Sequence, residues 1–240
     1  MANNKKALGT LFLIPSSLDQ EGIYDFMVEE QRHKINDLQY FIVENEKSAR
    51  RTVKKLNLLR SVQELILTPH TKDTPLATLQ LLIKPILDGH NVGLLSDAGV
   101  PCVADPGSKI VKLAHQNNIK VVPLVGPSSI ILSLMASGFN GQKFKFNGYL
   151  PIKKDEKKLY IQEMQKNILK SDETQIFIET PYRNDQLLSD LIEILDPGIS
   201  ICIAVNLTTN EEMIISKTIE QWKKSSLPDL SKKLCIFLLN

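Results

Sequence analysis

Two stretches of the chain decide its fold class: LLSDAGVPCVADPG at residues 94–107 and VVPLVGPSS at residues 121–129. Each begins as a short apolar run, stops in a loop of small and turn-forming residues, and continues into a helical pattern of apolar residues. In a parallel α/β sheet, a ligand crevice opens at the carboxyl ends of strands of this kind. Because Gly99 and Gly126 leave the backbone bare, we expect a flat ligand to approach main-chain groups there.

Strand-like and helical patterns alternate along nearly the whole chain, which predicts an α/β fold with mixed, mostly parallel sheets. A helix is predicted at residues 23–32, and the pattern turns basic and turn-rich after Gly138. We therefore expect two α/β domains, residues 1–117 and 118–240. The predicted strands are residues 10–14, 40–43, 65–67, 92–95, 120–122, 175–178, 201–205, 212–216 and 234–239.

The composition excludes several classes of protein. With 240 residues, 42% apolar and 23% charged, the chain is typical of a globular protein with a substantial core. A net charge of +2 gives no overall field for nucleic acid, although a local patch could bind it. Cys102, Cys202 and Cys235 form no C-x-x-C pair, which favours thiols in a reducing compartment and a cytoplasmic location. No apolar run is long enough to predict a membrane span.

The motifs that would hold a polyphosphate or a metal ion do not occur in the sequence. Neither G-x-G-x-x-G nor G-x-x-x-x-G-K-[ST] is present, so the predicted crevice suits a ligand without a polyphosphate. The histidines are scattered and form no metal-ligand pattern, so we expect no metal.

Asp97 and Asp105 are candidate ligand carboxylates in the first loop. Either could accept hydrogen bonds from a ribose diol or an ammonium group, or could instead end a strand and cap the following helix. Ser128 and Ser129 open a helix, whose free N–H groups could bind a carboxylate or could be capped by serine alone.

Charged residues follow two other predicted strands. Glu44 and Arg50 lie in ENEKSARR at residues 44–51, and Glu179 and Arg183 lie in FIETPYRN at residues 177–184. Each set is a candidate for substrate binding or catalysis, or an ordinary charged helix start.

Residues 94–139 resemble the central signature of the tetrapyrrole-methylase-like superfamily of S-adenosylmethionine-dependent methyltransferases. The motif SDAG-x-P…DPG is most similar to that of the branch that 2′-O-methylates a cytidine of small-subunit ribosomal RNA. The likeness is strong over residues 91–151 and extends weakly to GTLFLIP, ENEKSARR, FIETPYR, AVNLT and KKLCIFLL.

The resemblance implies a methyltransferase that holds S-adenosylmethionine in a cleft between two domains, forms a homodimer and needs no metal. The implied acceptor is RNA, most readily ribosomal, with Glu44, Asp105 and Glu179 as unranked candidates for a base. The candidate RNA contacts are Glu44, Arg50, Lys153, Lys154, Glu179 and Arg183. The candidate cofactor contacts are Pro15, Asp97, Ala98, Gly99, Val100, Asp105, Ser128, Ser129, Tyr149, Leu150, Ala204, Asn206 and Leu207.

Several substrate-side motifs depart from the branch. Residues 15–19 replace T-P-I-G-N, residues 44–47 replace E-D-T-R, and residues 204–208 replace A-R-E-L-T. Two alternatives therefore stand beside the RNA methyltransferase: a methylase of a tetrapyrrole or another small molecule, and a non-catalytic protein that binds the cofactor.

Overall fold

The computed structural model describes residues 7–19 and 26–240, and the chain divides into two compact units, Met1–Pro127 and Ser128–Asn240. This division lies after the fifth strand, Lys120–Pro123, rather than at the predicted position between residues 117 and 118. The physical reason is that this strand pairs with the first one, with Lys120 opposite Thr10, and so completes the first sheet.

The first unit is built on a sheet of five strands in which every neighbouring pair is parallel, in the order β3-β2-β4-β1-β5. Its strands are β1 Thr10–Ile14, β2 Tyr40–Val43, β3 Ile66–Pro69, β4 Val92–Leu95 and β5 Lys120–Pro123. Its helices are α1 Glu29–Ile35, α2 Glu46–Lys55, α3 Leu76–Leu82, α4 Lys84–Leu87 and α5 Ser108–Gln116, with a 3₁₀ turn at Val62–Glu64.

The helices of this unit cover both faces of the sheet. Phe12 and Ile14 of β1 pack with residues of α1 and α2, whereas Leu11 packs with residues of α3, α4 and α5. Successive strand residues point to opposite faces, which explains the alternation. Because β1 and β4 are neighbours whose connections run to opposite faces, a crevice opens between their carboxyl ends.

The predicted helix at residues 23–32 is corrected by the structure. Helix α1 begins at Glu29, the residues from Phe26 to Val28 form a turn and an extended cap, and residues 23–25 lie outside the described residues. Met27 is 3% exposed and belongs to the core without being helical. Its burial explains the apolar spacing that suggested a longer helix.

The second unit contains a mixed sheet in the order β6-β7-β10-β8-β9. Only the β6–β7 pair is parallel among its described pairs, and β10 runs antiparallel to both β7 and β8. Its strands are β6 Phe144–Tyr149, β7 Thr174–Ile178, β8 Ser200–Val205, β9 Met213–Thr218 and β10 Cys235–Leu239. Its helices are α6 Ser129–Ser137, α7 Lys154–Ser171, α8 Asn184–Ile194 and α9 Ile219–Lys223.

The α/β class is thus confirmed, with the parallel pairs concentrated in the first sheet. Strand β6 was not predicted, because its sequence FKFNGY is polar and contains a glycine. It forms at the edge of the sheet through pairing with β7, with an irregular register between Phe146 and Tyr149. Edge strands of this kind depend on their partner more than on their own apolar pattern.

The expected buried thiols are found at Cys202 and Cys235, and Cys102 is half-buried. Burial raises the pKa of both buried thiols to about 12, so they behave as small apolar side chains. In the part of the chain that the structure describes, no helix is both long and apolar enough to cross a membrane.

Candidate functional site

The loops that follow β1 and β4 are joined at the carboxyl edge of the first sheet. Ser16 and Gly99 exchange two backbone hydrogen bonds, with N···O distances of 2.8 and 3.0 Å. The Ser96 hydroxyl donates to the Gly99 carbonyl at 2.8 Å, and the Ser16 hydroxyl donates to the Ser96 carbonyl at 2.7 Å. Both serines are buried, so the two loops form one rigid floor between the strands.

The glycines of the two deciding stretches allow this close approach. Gly99 has a φ of +70°, and a Cβ added there would lie 3.1 Å from the Leu18 side chain and 3.3 Å from the Pro127 carbonyl. A Cβ on Gly126 would lie 2.2 Å from the Pro15 ring. The bare backbone that the sequence indicated therefore serves contact between loops, in addition to any ligand.

Three carboxyl groups gather at this edge. Glu44 directly follows β2, and its Oε1 accepts a hydrogen bond of 3.3 Å from the Asp97 backbone N–H. Burial, together with the nearby Asp105 and Asp97 charges, raises the pKa of Glu44 to about 7. Burial and the Asp97 charge raise the pKa of Asp105 to about 6. The edge therefore holds excess negative charge that a cationic ligand would relieve.

The alternative expectation that Asp105 caps a helix is wrong, because α5 begins at Ser108 with Gly107 in the N-cap position and no side-chain cap. Asp97 instead accepts a hydrogen bond from the Ser48 hydroxyl of α2. This contact ties the β4 loop to the N-terminal turn of α2, where the Asn45 side chain accepts from the backbone N–H groups of Lys47 and Ser48.

A cavity of about 280 Å³ lies beside this contact. Its lining includes cationic side chains of α2 together with the loops that follow β1 and β4: Ser17, Asp19, Lys47, Ser48, Arg51 and Lys55. Arg50 was predicted from the sequence as a substrate contact, whereas Lys47 and Lys55 were not. Lys47, Arg51 and Lys55 follow one another at intervals of four residues, which places them on one face of a helix. This spacing would have indicated a cationic face.

Three predicted residues of the second unit, Tyr149, Glu179 and Asn206, lie at or directly after strand ends at one edge of its sheet. Strands β6, β7 and β8 all end there, at Tyr149, Ile178 and Val205, whereas β9 and β10 begin there. Tyr149 and Leu150 line an open cavity of about 500 Å³, together with Pro151, Ile152, Tyr160, Thr180 and Arg183. Tyr149 is 61% exposed, whereas Leu150 is buried.

Glu179 and Arg183 form an ion pair at this second edge. The Arg183 Nε and Nη2 both donate to Glu179 Oε1, at 3.0 and 2.6 Å. The same oxygen accepts from the Thr180 backbone N–H at 2.6 Å, and the Glu179 side chain is only 5% exposed. The carboxylate is therefore occupied within the protein, as the alternative of a local ion pair expected.

Further predicted residues have structural partners of their own. Ser128 caps α6 by accepting from the Ile131 N–H at 3.5 Å, and Ser129 begins that helix. Asn206, with a φ of +45°, accepts from the Leu234 N–H at 3.1 Å. Ala204 and Leu207 are buried on either side of it. Val100 and Ala98 lie in the β4 loop with Gly99.

The basic candidates differ in their surroundings. Lys153 pairs with Glu156 at 2.9 Å, and Arg50 pairs with Glu46 at 3.6 Å, all on exposed side chains. Lys154 is exposed at the start of α7. Exposed pairs of this kind contribute little to stability. Across residues 7–19 and 26–240, no group of three or more His, Cys, Asp or Glu residues is placed to hold a metal ion.

The fold and this edge define a class of α/β protein with a ligand crevice at the ends of parallel strands, and comparison with known families names it. Residues 42–223 match the family model described as Tetrapyrrole (Corrin/Porphyrin) Methylases. The match covers more than half of the chain, and the chain belongs to this family.

The curated proteins to which the chain is similar include several named Ribosomal RNA small subunit methyltransferase I. That of Vibrio cholerae is 38% identical over 56% of this chain and 46% of its own length. That of Bacillus subtilis is 31% identical over 91% of this chain and 70% of its own length. The chain thus spans about half the length of the Vibrio relative.

Solved structures share the fold. The methyltransferase CobJ has a TM-score of 0.63 at 17% identity, with 97% of this chain and 94% of that chain covered. A uroporphyrin-III C-methyl transferase from Thermus thermophilus, complexed with S-adenyl homocysteine, has a TM-score of 0.53 at 12% identity, with 97% of both chains covered. At these identities the likeness concerns the fold alone.

Proposed function

We propose that this protein transfers a methyl group from S-adenosylmethionine to RNA, with ribosomal RNA as the acceptor. The observation that carries the proposal is the gathering of Glu44, Asp97 and Asp105 at the carboxyl edge of the parallel sheet, beside the rigid floor formed by Ser16 and Gly99. Membership of the methylase family supports it.

The residues present fit this cofactor. S-adenosylmethionine carries a sulfonium and an ammonium group, and both are favoured beside carboxylates whose ionisation is otherwise suppressed. A cofactor with a polyphosphate would be repelled by the same groups. When bound, S-adenosylmethionine supplies a methyl group on a good leaving group, so the chain's own residues chiefly need to position the acceptor. We propose Pro15, Asp97, Ala98, Gly99, Val100, Asp105 and the candidates of the second unit as its contacts.

Glu44 is the best candidate for a base toward the acceptor hydroxyl. Its pKa of about 7 is close to the pH at which a base can both exist ionised and accept a proton. Glu179 is occupied by Arg183 and by the Thr180 N–H. Asp105 has the lower raised pKa of about 6 and is ranked second.

The acceptor is proposed from the relatives named as ribosomal RNA methyltransferases. A homodimer and a cytoplasmic location are proposed with it, on the resemblance and on the buried free thiols. Light scattering after size-exclusion chromatography would measure the mass of the particle, and a monomer would contradict the dimer.

The direct test is methyl transfer from tritiated S-adenosylmethionine. The purified protein would be incubated with small-subunit ribosomal RNA, and in parallel with a uroporphyrin-type tetrapyrrole. We expect label in RNA, at a nucleotide whose 3′ linkage resists alkali because its 2′ oxygen is methylated. Label in the tetrapyrrole alone would favour the small-molecule methylase. Binding of S-adenosylmethionine without transfer to either acceptor would favour the non-catalytic protein.

A further inference from the structure

A cavity of about 280 Å³ borders the carboxylate edge of the first unit, where Glu44, Asp97 and Asp105 lie. Its lining contains more cationic than anionic side chains. Lys47, Arg51 and Lys55 of α2 line it, and their spacing of four residues places them along one face of the helix. The loop after β1 supplies the hydroxyl of Ser17. Cations and hydroxyl donors around a small cavity are the groups that bind an oxyanion.

Two carboxylates also line the cavity, Asp19 and Asp97, against its three cations. Asp97 accepts a hydrogen bond from the Ser48 hydroxyl, and its own backbone N–H donates to Glu44. Asp97 therefore belongs both to the carboxylate edge and to the cationic cavity. A cation bound at the edge and an anion bound in the cavity would meet at this residue.

The remaining cations of α2 lie outside the cavity. The helix sequence EKSARRTVKK contains five lysines and arginines and a single glutamate, Glu46. Arg50 pairs with that glutamate, and Lys54 is exposed; neither lines the cavity. The helix therefore carries three cations that line the cavity and two, Arg50 and Lys54, that do not.

The size of the cavity limits its occupant. Pockets for whole cofactors or drug-sized ligands occupy about 300–1,000 Å³, and this cavity lies just below that range. It suits one compact anionic group and part of its neighbour rather than a macrocycle.

We propose that the cavity lined by Lys47, Arg51 and Lys55 binds a backbone phosphate of the acceptor RNA, next to the nucleotide that receives the methyl group. This inference rests on the proposed function and adds the site that holds the acceptor strand. Phosphate contacts position a nucleic acid and carry most of its affinity, so this site fixes the distance between the ribose and the cofactor edge.

The test compares two double variants that each remove two positive charges. Lys47→Gln/Lys55→Gln removes two cations of the cavity. The matched control, Lys54→Gln/Lys120→Gln, removes one exposed lysine from α2 and one from the amino end of β5, at the opposite edge of the sheet. Lys47→Arg/Lys55→Arg retains the charge and serves as the rescue variant. RNA affinity, its salt dependence, KM for RNA and affinity for S-adenosylmethionine are measured for each.

We expect the cavity variant to raise KM for RNA about tenfold, the size of effect given by loss of a charged phosphate contact. The slope of log affinity against log salt should fall by about 0.7, as for one phosphate of a single strand. Affinity for S-adenosylmethionine should stay within about twofold, which also shows that the first unit is folded. The control and the arginine variant should remain close to the parent protein.

Equal effects of the cavity variant and the control would overturn the inference and leave RNA methylation standing, because general charge would then explain both. Absence of methyl transfer to RNA by the parent protein would overturn the proposed function and the inference together. If the parent protein methylates a tetrapyrrole and the cavity variant does so less well, the cavity binds a carboxylate of that ligand. This result would overturn the proposal that it binds an RNA phosphate.

Discussion

The two sheets differ in the direction of their strands, and this difference gives their edges different chemical groups. In the first unit all five strands run in one direction, so β1, β2 and β4 bring Ser16, Glu44 and Asp97 to one edge. In the second unit β9 and β10 are reversed, so two strands begin at the edge where β6, β7 and β8 end. The parallel sheet concentrates loop residues, whereas the mixed sheet divides its edge between strand ends and strand starts.

The charges at the two edges follow this arrangement. Three carboxyl groups crowd the first edge, and burial and mutual repulsion raise the pKa of Glu44 and Asp105. At the second edge the carboxylate of Glu179 is paired with Arg183 beside an open, largely apolar cavity. The crowded carboxyl groups of the first edge would therefore be stabilised by a cationic ligand, whereas the Glu179 carboxylate of the second edge already has a cationic partner in the protein. We expect substitutions at the first edge to have the larger effects on cofactor binding.

The sharpest test of this contrast is Gly99→Val. A branched side chain at φ +70° would meet Leu18 and the Pro127 carbonyl and would distort the floor beside Asp97. We expect affinity for S-adenosylmethionine, measured by calorimetry, to fall by roughly 100-fold, or about 2.7 kcal/mol. Gly138→Val in the second unit is the control, because Gly138 also has a positive φ, +78°, but a Cβ added there would meet no atom within 4 Å. Similar affinities for the two variants would contradict the assignment of the site.

A second substitution tests the contact between the β1 and β5 loops. The Cβ of Gly126→Ala would lie 2.2 Å from the Pro15 ring, which has little freedom to move. We expect the free energy of unfolding to fall by about 1–3 kcal/mol. Gly141→Ala, where the Cβ meets nothing within 4 Å, should change it by less than about 0.5 kcal/mol. Urea denaturation measures both, and unchanged stability of Gly126→Ala would show that the two loops can separate.

The dependence on pH should distinguish the carboxylate edge. The folded-state pKa of Glu44, about 7, lies above its usual value of 4.5, so its contribution to stability is complete below about pH 4.5 and is lost as pH rises through 7. Binding of a cationic cofactor should have the opposite dependence and strengthen a few-fold over the range from about pH 6 to 7.5. Glu44→Gln should flatten both curves. Calorimetry and denaturation across this range would decide, and an unchanged profile in the variant would contradict the role of Glu44.

The smallest effect is expected in the second unit, at the lysines that the sequence selected for RNA. Lys153→Glu/Lys154→Glu should weaken RNA binding by a few-fold, because Lys153 is exposed and paired with Glu156. Affinity for S-adenosylmethionine should not change. A loss of RNA binding larger than that caused by Lys47→Gln/Lys55→Gln would move the main RNA contact from the first unit to the second.

The fold could be predicted in large part because its strands in the first unit are short apolar runs, three of which, β1, β3 and β5, end at or directly before a proline. The deciding loop at residues 94–107 also gave the position of Asp97 and Asp105. Strand β6 could not be predicted, because its pairing with β7 outweighs its polar sequence. The compact units divide after β5, because β5 pairs with β1 from the other end of the first unit.

The sequence by itself determined the alternation of strands and helices, the loop residues at the strand ends and the likeness to a methylase family, since these depend on local pattern and residue type. Only the tertiary structure decided which of those residues meet. Glu44 and Asp97 are separated by 53 residues and become neighbours because β2 and β4 lie side by side and end at the same edge. Their proximity, their burial and the raised pKa of Glu44 depend on distances between strands, which no local pattern contains.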